Sequence, residues 1–158
     1  MSGTDTRTVA HKFKAALFDA ATNLWKDTQP DLLVNWGTLA GPNRPDDHVL
    51  FLSTDSDQDA ATLSTNRSRE EVLHVEVQFF ATRWGEVDAA READEYLYDR
   101  IGDLERYVRM TDTTLGGVVR HCFLKSHVTD ARSFTRNNVA GHLAAAIVRF
   151  EAKARITA

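Results

Sequence analysis

Cysteine is nearly missing from this sequence, in which Cys122 is the single one among 158 residues. An internal disulfide is therefore excluded, and a reducing compartment such as a cytoplasm is favoured. Charged side chains interrupt the apolar stretches near the N-terminus, which predicts that no signal peptide is present. No stretch approaches the roughly 20 apolar residues that cross a bilayer. We therefore expect a soluble protein that is neither membrane-spanning nor secreted by the usual route.

A dominant charge of one sign is missing too, because 19 basic side chains face 23 acidic ones. The resulting net charge of −4 argues against a protein whose main task is to neutralise nucleic-acid phosphates. Apolar residues make up 42% of the chain, which is ordinary for a globular domain. Together with the length, this composition predicts one domain that spans residues 1–158.

Motifs that carry chemistry are also missing. The six histidines form no His-Glu-x-x-His motif, and none has a cysteine at zinc-site spacing. The sequence contains no phosphate-binding loop, dinucleotide fingerprint or nucleophile elbow. Asp55, Asp57 and Asp59 have the spacing that opens a calcium loop, but Asn66 stands where the closing glutamate belongs. We expect no catalytic, cofactor-binding or metal-binding residues, although a pocket built from scattered side chains stays open.

Two segments carry the apolar periodicity of helices. From Val9 to Leu24, apolar residues recur at helical spacing, which predicts a helix over about residues 6–26. A second stripe of this kind predicts a longer helix over residues 86–110. Acidic residues lie near its start and arginines near its end, as the helix dipole favours.

Four further segments lie between these two predicted helices. Short apolar runs at residues 32–36 and 48–52, on either side of a loop with two prolines, predict two short strands. The polar residues 53–69 are predicted as a long loop. At residues 72–80, apolar and polar side chains alternate, which predicts a half-buried strand.

The alanine-rich residues 142–156 also alternate. In a helix their charges would divide the apolar surface, whereas in a strand they form one charged face. We therefore predict a long strand here, paired with residues 118–130 across a polar loop at residues 131–138. The order of elements predicts an α+β fold: a single domain with a mainly antiparallel β-sheet and two long α-helices packed on one face.

Basic residues gather in the last third of the chain, and Phe134 lies between two of them. A hairpin tip of this kind is able to touch nucleic acid by charge and base stacking. The alternative is a charged outer sheet face or a subunit contact, which the acidic net charge favours. The candidate subunit or partner interface comprises Arg67, Arg69, Arg132, Phe134, Arg136, Arg149, Glu151, Lys153 and Arg155.

A short motif, Asp112-Thr113-Thr114-Leu115-Gly116-Gly117-Val118, follows the second predicted helix. Its residue types predict a structural turn at a helix exit, since Asp112 is suited to an Asx turn and Leu115 to a place in the core. Gly116 or Gly117 is expected to take the positive φ that other side chains resist. Nothing in the motif indicates catalysis.

With its surroundings, this motif resembles the tail terminator (tail completion, head–tail joining) proteins of siphophages. In that family, an Asp-x-Thr-Leu-Gly-Gly-x-Val segment follows the long helix, and an Arg-rich loop and an alternating strand precede that helix. The same order is found here in residues 67–71, 72–80, 89–93 and 112–118.

The resemblance implies a structural virion protein that forms a ring, typically hexameric, at the head-proximal end of the tail tube. Such a ring ends tube polymerisation and offers a surface for head joining. The expected partners are further copies of the chain, the tail tube protein and the head–tail connector or stopper protein, and proximity to DNA stays open. The expected location is the virion tail, after assembly in the host cytoplasm.

Two other functions stay open. A head-completion, stopper or connector protein of the phage neck would share the virion location but bind different partners. A small ligand-binding domain or enzyme would need a pocket that the sequence motifs do not indicate.

Overall fold

A computed structural model describes residues 8–41, 44–60 and 69–156, which form two α-helices and one five-stranded sheet. In chain order the elements are α1 (Ala10–Trp25), β1 (Leu33–Trp36), β2 (Asp47–Ala60), β3 (Arg69–Trp84), α2 (Val87–Arg106), a π-helical turn (Tyr107–Thr111), β4 (His121–Arg136) and β5 (Val139–Ile156). The strand order is β1-β2-β3-β5-β4, in which β1 is parallel to β2 and all other neighbours are antiparallel. The predicted α+β fold with a mainly antiparallel sheet is confirmed.

Both helices pack on the same face of the sheet, as predicted. Trp25 of α1 meets Phe79 of β3 edge to face at 6.2 Å between ring centroids, and its indole N–H donates to Asp103 of α2 over 3.1 Å. Full burial of a large apolar side chain contributes about 1.5–3 kcal/mol, so the inner row of β3 anchors both helices. That row consists of Leu73, Val75, Val77, Phe79 and Ala81, all buried.

A buried carboxylate of the sheet holds the start of α1, whose N-cap residue Val9 makes no side-chain capping hydrogen bond. Glu71 of β3 accepts hydrogen bonds from the N–H of Val9 over 2.9 Å and from the hydroxyl of Thr8. Gln58 of β2 donates to the same carboxylate over 3.3 Å. Because Glu71 is fully buried, these donors offset its desolvation, and the helix dipole favours its charge. Residues 6 and 7, with which this helix was predicted to begin, lie outside the described residues.

The predicted loop at residues 53–69 is wrong in its first half. β2 continues to Ala60, and its residues 54–60 pair with residues 69–75 of β3 after a bulge that follows Phe51. The side chains of this stretch are mostly exposed, so no apolar alternation marks it as a strand, and the backbone pairing with β3 fixes it instead. Residues 61–68 lie outside the described residues.

The predicted loop at residues 131–138 is wrong as well. β4 runs on to Arg136, and only Asn137 and Asn138 form the turn, with φ angles of 52° and 64°. A two-residue turn with positive φ at both positions matches the twist of a hairpin, and asparagine tolerates this conformation. Four of the six side chains at residues 131–136 are polar, and all six except Phe134 are exposed, so no apolar alternation marks this stretch as a strand.

The motif at residues 112–118 leads from α2 into β4. The α-helix ends earlier than predicted and continues as the π-helical turn. The Asp112 carboxylate accepts a hydrogen bond from the N–H of Gly116 over 3.1 Å, and the side chain of Leu115 is buried. Leu115, Gly116 and Gly117 have φ angles of 49°, 70° and 88°, so the two glycines supply a left-handed backbone without steric cost. The chain reverses here, and β4 begins at His121 instead of residue 118.

Candidate interaction surface

The sheet face opposite the helices, here called the open face, carries a continuous groove. The strand register brings rows of side chains from β3, β5 and β4 side by side on this face. Three adjoining cavities of about 290, 240 and 180 Å³ lie over these rows, and Phe80 lines all three. The rows of this open-face groove are Gln78–Ile147–Val128, Phe80–Ala145–Asp130, Thr82–Leu143–Arg132 and Trp84–Gly141–Phe134.

The floor of the open-face groove is apolar. Val128 and Ile147 leave 69% and 46% of their surface exposed at one end, and the half-buried Phe80, Leu143 and Ala145 continue the floor. Contiguous exposed apolar surface of this kind marks sites where other molecules bind. Within the described residues no helix covers it, since both helices lie on the other face.

A glycine makes room for an aromatic pair at the other end of the groove. Trp84 and Phe134 lie edge to face at 5.2 Å between ring centroids, across Gly141 of β5. A Cβ atom at Gly141 would stand 2.5 Å from Cζ of Phe134 and 2.9 Å from Cζ3 of Trp84. A glycine inside a strand marks such a close approach, so this residue shapes the wall of the groove.

Three arginines line the rim of the groove. The guanidinium of Arg136 lies 5.5 Å above the Trp84 ring centroid and 5.9 Å above that of Phe134. Arg44 lines the same cavity, and neither of these two arginines has a salt bridge within the described residues. Arg132 pairs with Asp130 at 3.3 Å, with both side chains largely exposed. Exposed pairs of this kind contribute about 0–1 kcal/mol, so Arg132 is free to change partner.

His48 brings an unsatisfied acceptor to the groove. Its ring is 4% exposed and stacks on Phe80 at 4.5 Å, and its Nδ1–H donates to the carbonyl oxygen of Pro45 over 3.0 Å. Burial lowers the pKa of His48, to which the nearby Arg44 also contributes, so the ring is neutral and Nε2 is an acceptor. No described residue donates a hydrogen bond to this Nε2.

A separate network of charges occupies the opposite end of the open face. His74 lies between two carboxylates, with Nδ1 at 2.9 Å from Asp55 and Nε2 at 2.8 Å from Glu151. Arg149 also reaches Asp55 at 3.0 Å, and Lys125 lies 3.9 Å from Glu151. These contacts join β2, β3, β5 and β4, so the network links four strands of the sheet. Sequence reasoning missed it, because its members lie on four strands.

The residues predicted as one interface fall into two groups. Arg132, Phe134 and Arg136 lie together at the groove, whereas Arg149 and Glu151 belong to the His74 network. Glu151 is buried, so the charged face predicted for the last strand is interrupted there. Lys153 and Arg155 follow beyond it, about 33 Å from the row of Arg132 at strand spacing. Arg69 begins β3 opposite Ile156, and Arg67 lies outside the described residues.

Several groove residues escaped sequence reasoning. Phe80 lies on the same side of β3 as the polar residues His74, Glu76 and Gln78. An aromatic residue on the polar side of a strand was the one feature of the sequence that indicated an apolar site on the open face. His48, Trp84 and Gly141 gave no signal, because their neighbours come from other strands.

The described residues include one thiol, several histidines and many carboxylates. They contain no group of histidine, cysteine or acidic side chains that could hold a metal ion. Burial raises the pKa of the Cys122 thiol to about 12, which leaves it protonated and unreactive at neutral pH. No helix of the described residues is long and apolar enough to span a membrane.

No protein-family model matches the sequence, and neither does any curated protein.

Proposed function

We propose that this chain is a structural virion protein that forms a ring, hexameric by the family resemblance, at the head-proximal end of a phage tail tube. In this role it ends tube polymerisation and provides the surface on which the head is joined. The proposal rests on the resemblance of residues 67–118 to tail terminators and on one structural observation, the hairpin formed by the distal ends of β4 and β5.

That hairpin, here called the arm, comprises residues 128–141 and extends beyond the helices. Its side chains on the helix side are all exposed, namely Thr129, Ala131, Ser133 and Thr135. On the other side it carries the rim and aromatic wall of the open-face groove. Only residues 135–140 extend beyond β3, because β5 pairs with β3 up to Gly141, and β4 is the edge strand of the sheet along the rest of the arm. An edge strand leaves backbone N–H and C=O groups unpaired, so a partner that covers it is expected.

A terminator needs such surfaces more than it needs a chemical centre. Each tube subunit adds to an end that looks like the previous one, so the tube itself contains no stop signal. A protein that matches the tube on one side and presents a different surface on the other supplies that signal. The groove has an apolar floor, and the arm beside it is extended and carries arginines at the rim, which suits contacts between large protein surfaces.

The experiment is a phage that lacks this protein, examined by electron microscopy of the lysate. We expect DNA-filled heads that remain unjoined to tails, and tail tubes whose lengths are no longer uniform. A plasmid that supplies the wild-type chain should restore both joining and length. Unattached tails of normal, uniform length would reject the terminator and favour a connector or stopper on the head side of the joint.

A further inference from the structure

We propose that the arm binds the outer face of α2 in a second copy of the chain, and that this contact joins neighbouring subunits. The inference rests on the proposed function for its biological setting, but the contact itself is argued from charge, exposure and geometry. The surface on α2, here called the acidic stripe, consists of Asp88, Glu92, Glu95 and Asp99.

The acidic stripe is a line of carboxylates, and Arg83, which lines a cavity with three of them, is itself paired with Asp47. Its four carboxylates are all exposed and recur at helical spacing on one side of α2. None of them forms a salt bridge within the described residues, and Arg91 beside them forms none either. Like charges four residues apart destabilise a helix by about 0.2–0.5 kcal/mol per pair. A cationic surface of a partner would reverse this repulsion.

The arm supplies that cationic surface. Arg132 and Arg136 point to the open face of the arm with Phe134 between them, and Arg44 lies across the same cavity. Two carboxylates are also present: Asp130 pairs with Arg132, and Asp46 accepts a hydrogen bond from the indole of Trp84 over 3.2 Å. The net charge of this surface therefore remains positive. Arginine and aromatic side chains are enriched in protein interfaces.

The dimensions of the two surfaces agree. Arg132 and Arg136 are separated by about 13 Å along a strand, and Glu92 and Asp99 by about 10 Å along a helix. The exposed Tyr98 flanks the acidic stripe and offers an aromatic ring for the apolar floor of the groove.

The contact cannot close within one copy. α2 covers one face of the sheet, whereas the groove and the basic side of the arm lie on the opposite face. Each copy therefore presents one of the two surfaces to each of two neighbours. A contact between different surfaces is head-to-tail, and repeated rotation closes it into a ring.

Charge reversal tests this contact with the full chain. The arm variant carries Arg132→Glu and Arg136→Glu, and the stripe variant carries Glu92→Lys and Glu95→Lys. Sedimentation velocity at low salt should show assemblies of wild-type protein, with self-association about 100-fold weaker in either variant, because the arm variant sets like charges against each other and the stripe variant removes the net negative charge of the stripe. A control with Lys153→Glu and Arg155→Glu reverses charges at the far end of the open face and should assemble like wild type.

Rescue separates a lost contact from a lost fold. A chain with all four reversals has an acidic arm and a stripe with two lysines at its centre, so it should assemble again. An equimolar mixture of the arm and stripe variants should also assemble, with the two chains alternating. Circular dichroism and urea melts establish that each variant is folded. Wild-type protein that stays monomeric at every concentration, or a four-reversal chain that stays dissociated, would overturn the contact.

The outcomes distinguish this inference from the proposed function. Assemblies that follow the reversal pattern, together with a mutant phage whose tails are uniform, retain the contact and reject the terminator. Tubes that are capped by a ring insensitive to the reversals retain the terminator and reject the contact.

Discussion

Gly141 offers a sharp test of the open-face groove, because a single methyl group there collides with the aromatic pair. In Gly141→Ala, the new Cβ would lie 2.5 Å and 2.7 Å from two ring atoms of Phe134 and 2.9 Å from Trp84. Both rings must move, and overpacking of this kind costs about 1–3 kcal/mol. Removing a glycine from a strand returns about 0.5–1 kcal/mol. We therefore expect a net loss of up to about 2.5 kcal/mol and a displaced groove wall.

The assay is urea unfolding followed by circular dichroism, with Gly102→Ala as the matched control. Gly102 lies on the exposed side of α2, and a Cβ there meets no atom within 4 Å. The control should therefore gain about 1 kcal/mol from helix propensity. If Gly141→Ala gained stability as the control does, the rings would not lie across this glycine and the account of the groove would be refuted. The near-ultraviolet circular dichroism should change only in Gly141→Ala, since only this variant disturbs Trp84.

Three further predictions concern buried groups. Glu71→Ala leaves the donors of Val9, Thr8 and Gln58 without their acceptor, so it should lower the free energy of unfolding by about 2–3 kcal/mol in urea melts. Glu71→Gln should lose less. A Glu71→Ala variant as stable as wild type would contradict the role of Glu71 at the start of α1. Burial lowers the pKa of His48 in the folded protein below its ordinary 6.5, so on acidification the His48 imidazole is protonated in the unfolded chain before it is protonated in the folded one. The stability that neutral His48 contributes is therefore present above about pH 6.5 and is lost as the pH falls towards the pKa of His48 in the folded protein. Melting temperatures of His48→Gln should consequently fall less steeply with acid than those of wild type, and parallel curves would reject this. Burial raises the pKa of the Cys122 thiol to about 12, so this thiol should not react with Ellman's reagent in the folded protein at mildly alkaline pH but should react in urea. Rapid reaction of the folded protein would contradict this, because it would show that the thiol is accessible.

Where one face of an element is buried, its sequence pattern predicted the structure well. The alternation of β3 and the apolar stripes of α1 and α2 report burial against a shared core, so these elements and their packing on one face followed from the sequence. The sequence predicted β5 for the same reason. Its residues Val148, Phe150 and Ala152 are buried on the helix side, whereas Arg149 and Lys153 are exposed.

Where both faces are exposed, the pattern carried no such information. Residues 54–60 of β2 and 131–136 of β4 are strands because neighbouring backbones pair with them, and their polar side chains also suit loops. The parallel pairing of β1 with β2 depends on how the loop between them returns, which composition does not determine. The groove could not be predicted from the sequence either, because His48, Trp84, Phe134 and Gly141 come from four strands that meet only in the folded sheet.

The most direct measurement of the terminator proposal is the length of tail tubes polymerised from the purified tube protein in the presence of increasing amounts of this chain. The proposal predicts that mean tube length stops rising soon after the chain is added, and that electron microscopy shows a ring of density at one end of each tube. The arm variant should bind fewer ends at the same concentration. Tubes that grow at an unchanged rate with bare ends, at concentrations where the chain is folded and assembled, would contradict the proposal.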